Sequence, residues 1–301
     1  KRMENFEEYE EIVNALEGEL PSIPVIMNEL MKIISNPDAA LFAIKDILKL
    51  DQAIFSKLIK VANSVAHREG TSQRISDISD AMQRIGLEKV KQVALKTSVL
   101  KIFTKDWEGT NFNFEDLWLH SSATAIANQA LAEYFESEYL EHAYACGLLH
   151  DIGKVAKIQF AQEEYGKEVR YAYRKNLSTH SSENARNFLH HEILGALIIK
   201  RWGLSELIEK TTRWHHVLDR KQREGIEEPS LQKFIDILIL SNHLVHDLKI
   251  GNSGYVKVES LPRDFFKRFR KDDSEYENCK NLVSEKIEEQ ADFMAIFQNQ
   301  F

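Results

Sequence analysis

Apolar positions along the chain recur at helical spacing. Leu58, Val61, Ala62 and Val65 form one stripe, and Val90, Val93, Ala94, Thr97 and Leu100 form another. Alternating runs of strand type bounded by hairpin dipeptides are nearly absent. Gly251-Asn252-Ser253-Gly254-Tyr255-Val256 is the one segment that reads as a loop leading into a strand. The prolines, Pro21, Pro24, Pro37, Pro229 and Pro262, leave residues 38–228 free of the strongest helix breaker. The pattern predicts an all-α chain. Asn36-Pro37-Asp38 should separate a helix ending near Ile34 from one starting around Leu41. Gly86 and Gly203 each close an apolar run as a glycine just past a helix end.

The polar stretch 104–113, with Gly109 and no apolar stripe, divides an N-terminal helical unit from a central one. This gives an extension over 1–17, a helical part over 18–106, a second over 107–255 and a C-terminal extension over 256–301. After Pro262 a mainly basic run (Arg263, Lys267, Arg268, Arg270, Lys271) meets an acidic one (Asp272, Asp273, Glu275, Glu277). The final thirty or so residues read as a charged terminal helix packing one stripe.

Composition changes the picture mainly by exclusion. Hydrophobic residues at 43% and charged residues at 29% are ordinary globular values. A net charge of −8 opposes a general electrostatic grip on nucleic acid, while leaving room for a local basic pocket for a small phosphate ligand. Cys146 and Cys279 are too few and too far apart for a disulfide framework, and Cys146 reads as a small core residue. No apolar run reaches the ~20 residues a bilayer requires, and no signal-peptide pattern opens the chain. No membrane association is expected, and the cytoplasm is the expected location. The first residue is Lys1 rather than methionine, so the sequence reads as open to being a fragment of a longer chain.

Eleven histidines carry most of the chemical signal. Leu148-Leu149-His150-Asp151-Ile152-Gly153-Lys154 ends an apolar helix with two metal-competent side chains. A neutral imidazole and an adjacent carboxylate can serve one divalent metal, or straddle two with the carboxylate bridging. Gly153 would let the chain turn away, and Lys154 would leave a cation for a phosphate oxygen. His120 lies on a helix expected over 117–134, with Asp116 one turn earlier on the same face. His191 opens a helix whose Gly195 and Ala196 permit close backbone approach, and His215-His216 end another. Bundles build metal sites in this way, each helix giving one or two inward ligands. His67, His142, His180, His190, His243 and His246 are read as surface or satisfied polar residues.

A histidine, a His-Asp doublet and further ligands at these separations resemble the HD superfamily of metal-dependent phosphohydrolases, with His120, His150 and Asp151 matching its first three positions. His191, His215 and His216 resemble the additional ligands of its HD-GYP branch. Leu20-Pro21-Ser22-Ile23-Pro24, Ile47-Leu48-Lys49-Leu50-Asp51, Val61-Ala62-Asn63-Ser64 and Ala81-Met82-Gln83-Arg84-Ile85-Gly86-Leu87 resemble the opening pattern of a different branch, HDOD. Arg201-Trp202-Gly203-Leu204 followed by Trp214-His215-His216 resembles that branch's distal pattern. The resemblance spans about residues 18–255 and implies an HD-like multi-helix bundle with an N-terminal helical subdomain. It departs from the HD pattern where a distal aspartate is expected, because Asn242 stands there. It departs from HD-GYP in lacking a Gly-Tyr-Pro string after His216; that branch hydrolyses cyclic di-GMP.

The resemblance implies one or two divalent transition-metal ions (iron, manganese, nickel, cobalt or zinc). The expected ligands are His120, His150, Asp151 and His191, with His215, His216, Asp116 and Asn242 available to complete the shell. The favoured reading is a signal-transduction output or scaffold module, partnered by a signalling protein or a small phosphate or nucleotide ligand and without strong hydrolase activity. The alternative is an active phosphohydrolase or phosphodiesterase using metal-activated water, with Asp151 and Lys154 as its catalytic residues. A third possibility is a structural helical protein whose histidines carry no chemistry.

Overall fold

The computed structural model describes residues 6–19, 52–68, 75–76, 78–101, 113–186, 188–254, 257 and 260–298. The described residues contain helices and no strands, as the spacing of apolar positions predicts. The opening HDOD-like strings over 20–24 and 47–51, the Asn36-Pro37-Asp38 break, most of the 104–113 stretch and the Tyr255-Val256 excursion lie outside the described residues.

In chain order the helices are α1 (Phe6–Glu19), α2 (Gln52–Arg68), α3 (Ile78–Leu100), α4 (Phe114–Tyr134), α5 (Leu140–Leu149) and α6 (Ile152–Phe160). They continue as α7 (Gln162–Lys175), α8 (Thr179–Arg186), α9 (His191–Arg201), α10 (Glu206–Trp214), α11 (Pro229–Asp247), α12 (Glu275–Glu289) and α13 (Ala291–Gln298). Gly86 sits inside α3 with φ 76°, so α3 is two helical pieces joined across a left-handed kink, in keeping with a glycine at a helix end. Pro229 opens α11, where its missing N–H has no partner to lose.

The centre of the molecule is α4. Its first turn is held by Asn113, whose side chain accepts from the Asp116 amide at 2.7 Å. Beyond that turn it buries residues all around its circumference, with Leu117, Trp118, Ala123, Ala125, Ala127 and Leu131 among them. A helix apolar on every side belongs inside, surrounded by others. Here α5, α11, α12 and α13 pack on it. Small side chains keep these neighbours close, and polar ones cross-link them. Asn128 Nδ2 donates to the Ala143 carbonyl at 2.7 Å, while Ser241 Oγ donates to Asn128 Oδ1 at 3.3 Å. Each fully buried Leu or Ile in this core contributes about 1.5–3 kcal/mol by leaving water.

The first and last described helices join the same core. α1 packs on α6 and α9, where the Tyr9 hydroxyl accepts from the His190 amide at 2.8 Å. The C-terminal segment forms two helices rather than one. The break at Gln290 turns Phe293, Met294 and Phe297 inward, all three buried. Lys57 Nζ donates to the Ile296 carbonyl at 2.9 Å, and the fully buried Lys96 amino group lies over the rings of Trp118, Phe293 and Phe297. Among the described residues no helix is long and apolar enough to cross a membrane.

Candidate metal centre

His150 and Asp151 occupy the junction between α5 and α6, His150 closing the first helix and Asp151 preceding the second. Gly153, one turn further, does more than allow a turn. A Cβ there would lie 2.0 Å from the His191 carbonyl and 2.8 Å from the Gly195 amide, so α6 and α9 touch backbone to backbone. That contact brings Asp151 to His191. The trailing end of α10 adds His215 and His216.

Three imidazoles have their ring orientation fixed from behind. His150 Nδ1 donates to the Gly147 carbonyl at 2.7 Å and His215 Nδ1 to the Thr212 carbonyl at 2.6 Å. A carbonyl only accepts, so Nδ1 carries the hydrogen and Nε2 presents a lone pair. His191 Nδ1 lies 2.8 Å from the Glu183 carboxylate, with the same consequence. Backing partners of this kind accompany histidine ligands in metal proteins.

The Nε2 atoms converge with one carboxylate oxygen. His191 Nε2 is 3.4 Å from His215 Nε2 and 3.1 Å from His216 Nε2; Asp151 Oδ1 is 3.4 Å and 3.6 Å from the first two. Lone pairs of neutral imidazoles facing one another at such range repel unless a cation lies among them. Donors about 2.0–2.1 Å from a tetrahedral ion stand roughly 3.3 Å apart, which is the spacing seen. Asp151 Oδ1 is buried with no hydrogen-bond partner. Asp151, His191, His215 and His216 are therefore competent to hold a divalent metal.

The other oxygen, Asp151 Oδ2, faces His150 Nε2 at 3.3 Å, His120 Nε2 at 3.9 Å and Lys154 Nζ at 2.9 Å. His120, His150 and Asp151 form a second converging group. His120 Nδ1, His150 Nε2 and Asn242 Oδ1 are buried without hydrogen-bond partners. Asn242 sits beside the His120 ring, where it favours the protonated imidazole slightly. Lys154 is itself buried and also reaches Ser253 Oγ at 3.3 Å.

Electrostatics set the protonation states that metal binding needs. Burial lowers the pKa of His120 to about 3 and that of His215 to about 4, and pushes His191, His216 and His246 down. Burial alone would raise the Asp151 pKa, but His150 and Lys154 hold it well below the usual carboxylate range. Glu183 is held at about 2, the pull of His191 and Lys157 outweighing its burial.

Asp116 is not brought into either group. It is half-buried on the first turn of α4, and its carbonyl accepts from the Asn252 amide at 3.0 Å. Three residues read from sequence as bland lie against the centre. The His246 ring stacks on His120 at 4.2 Å between centroids, and His180 stacks on His216 at 4.6 Å. His190 and His180 share a further group with Glu183 and Glu192. The signal for His246 was its place four residues after Asn242, on the same helix face. Glu183 carried none, because its partner His191 lies on a different helix.

The HDOD domain profile matches residues 20–218. An uncharacterized protein of Treponema pallidum (strain Nichols) is 26% identical over 253 residues, 84% of this chain and 46% of that protein. The chain thus spans about half the length of this curated relative. A crystal structure of an HDOD domain protein of unknown function from Geobacter sulfurreducens superposes with a TM-score of 0.71 at 20% identity, covering 92% of this chain and 91% of its own. A candidate signal transduction protein from Marinobacter aquaeolei VT8 gives 0.72 at 17% identity, over 92% of this chain and 59% of its own. A candidate phosphohydrolase from Shewanella amazonensis SB2B gives 0.65 at 18% identity, over 95% and 97%. These likenesses extend the fold over nearly the whole chain, and the profile match over 20–218 makes the chain a member of the HDOD family.

Proposed function

We propose that the chain is a cytoplasmic signal-transduction output module whose buried pocket holds a divalent transition-metal ion and whose hydrolase activity is weak. The observation that carries this reading is the asymmetry of the pocket. Four protein donors, Asp151 Oδ1, His191, His215 and His216, converge on one position. Sites that use all their positions on protein ligands are structural; catalytic ones keep a position open. The second group, His120, His150 and Asp151 Oδ2, already has the Lys154 ammonium at 2.9 Å from the shared oxygen. There the amide of Asn242 adds no negative charge. The donor set of imidazole and carboxylate suits iron, manganese, nickel, cobalt or zinc. The proposed partner is a signalling protein, or a small phosphate or nucleotide ligand drawn by Lys154.

The enzymatic reading is favoured by one feature, the buried His150 Nε2, which faces Asp151 Oδ2 at 3.3 Å with no hydrogen-bond partner. A divalent ion there would supply Lewis-acid polarisation of a phosphate oxygen. Lys154 would then hold that phosphate, and Asp151 would orient the reacting group. Hydrolysis of cyclic dinucleotides and of a chromogenic bis-phosphoester with added manganese separates the two. Little or no turnover is expected while elemental analysis finds bound metal. Rapid, metal-dependent turnover would overturn the module reading. Absence of bound metal from both the wild type and His215→Ala would overturn the metal assignment.

A further inference from the structure

Outside the inner pocket, the start of α8 and the turn leading into α9 bring His180, Glu183, His190 and Glu192 together, with one donor atom from each within 4.8 Å of the others. Glu192 is the centre of this group and is almost wholly buried. Its two oxygens face different rings. Oε1 lies 3.2 Å from His190 Nδ1, and Oε2 lies 3.8 Å from His180 Nδ1. Oε2 has no hydrogen-bond partner although it is shielded from water. A buried carboxylate oxygen left in this state is costly unless a cation reaches it. The 3.2 Å separation, itself a hydrogen bond, is close to the roughly 3.3 Å between two donors that each stand about 2.0–2.1 Å from one ion, and the 3.8 Å separation is longer.

We propose that His180, His190 and Glu192 form a second, outer divalent-cation site, separate from the pocket around Asp151. Glu183 stands within range but is committed elsewhere. Its oxygens receive Lys157 Nζ at 2.8 Å, the His191 amide at 3.0 Å and His191 Nδ1. It forms the wall between the two sites rather than a full ligand of the outer one. Arg213 Nη1 approaches Glu192 Oε1 to 3.7 Å, and His191 Nδ1, already bonded to Glu183, stands 3.8 Å from Oε2. Two imidazole nitrogens and a carboxylate are a donor set for zinc, cobalt, nickel or ferrous iron. The His180 and His190 side chains are 17% and 15% exposed, against 0% for His191. The outer site is therefore reached from solvent. The His180 ring stacks face to face on His216, with 14° between planes, so an ion that fixes His180 also fixes a ring of the inner group.

The test is a titration of the metal-free chain, residues 1–301, with Co2+, followed by calorimetry and visible absorption. Four proteins are compared: wild type, the double variant His180→Ala/His190→Ala, Glu192→Gln and His215→Ala. The double variant is expected to bind one cobalt ion fewer per chain than wild type. Glu192→Gln keeps the shape and is expected to weaken the outer event at least ten-fold. His215→Ala is expected to retain the outer event. Equal stoichiometry and affinity in wild type and the double variant would overturn the proposal. If the double variant lacks a cooperative melt, Glu192→Gln decides, and an unchanged set of binding events in it overturns the site. Loss of all cobalt binding in His215→Ala would also overturn it. Should His215→Ala match wild type while the double variant loses an ion, the inner-pocket reading fails and the outer site stands.

Discussion

The two oxygens of Asp151 look into different surroundings. Around Oδ1 stand His191, His215 and His216, with burial keeping the rings neutral. Around Oδ2 stand His120 and His150, and a lysine ammonium is already in place. Both halves use the same residue types, so composition does not separate them. The second charge does. A cation entering the first half meets an uncompensated carboxylate oxygen, whereas one entering the second must share its oxygen with Lys154. At a few ångströms two like charges repel by several kcal/mol even when screened to an effective dielectric of about 20. Metal affinity should therefore be lopsided across a pocket that is nearly symmetric in its ligands.

The largest effect expected from this difference comes from removing ligands one side at a time. His191→Ala should weaken metal binding at least about 100-fold, since loss of an outer-shell partner alone typically costs 10–100-fold. His150→Ala should cost less than about ten-fold for the first ion. Competition with a chromogenic chelator measures both, and equal losses would erase the distinction between the halves. Next in size is Glu183→Gln. Glu183 holds His191 by its Nδ1, and an amide is a weaker and less selective acceptor than a carboxylate. A 10–100-fold loss of metal affinity is expected, with the helical far-ultraviolet signal retained. A variant that binds metal like wild type would show that packing, not Glu183, orients the ring.

The contrast also explains what could be read in the sequence. His150, Asp151, His191, His215 and His216 were legible because each stands at the start or end of a predicted helix, where a metal-competent side chain is conspicuous. The all-α fold was legible for a similar reason, since stripes such as Val90, Val93 and Ala94 report the helix period directly. What the sequence could not give was orientation. Asp116 and His246 are both one helical turn from a residue of the pocket, yet only His246 joins it, by stacking on His120. Gly251, at positive φ, brings its loop against the Asp116 carbonyl and the His120 amide, where a Cβ would lie 2.4 Å from each. Nor could the sequence show that Gly153 serves a helix contact more than a turn, because its neighbours, His191 and Gly195, are 38 and 42 residues away. The terminal helices were partly legible; their charge was clear, but the inward turn of Phe293 and Phe297 depends on the pocket at Lys96.

The smallest effect is expected where the second half is made more like the first. Asn242 lies beside His120 in the half that holds Lys154, and its amide oxygen is buried without a partner. Asn242→Asp adds a full negative charge at nearly constant volume. The new carboxylate should attract a cation shared with His120 and Asp151 Oδ2, partly offset by the cost of burying it. The net gain should be modest, about ten-fold in affinity for a second ion, or roughly 1.4 kcal/mol. Titration with manganese in the His180→Ala/His190→Ala background, read by calorimetry, should show a second binding event with Asn242→Asp that the same background with Asn242 lacks or shows more weakly. Bis-phosphoester hydrolysis should rise in parallel if that ion polarises substrate. There is a competing outcome with a clear physical basis. The new carboxylate could pair with Lys154 instead, leaving the number of ions unchanged and raising the melting temperature. That result would show that the lysine, and not the missing carboxylate, limits the second half of the pocket. Lys154→Met combined with Asn242→Asp would then be the variant in which the second ion binds.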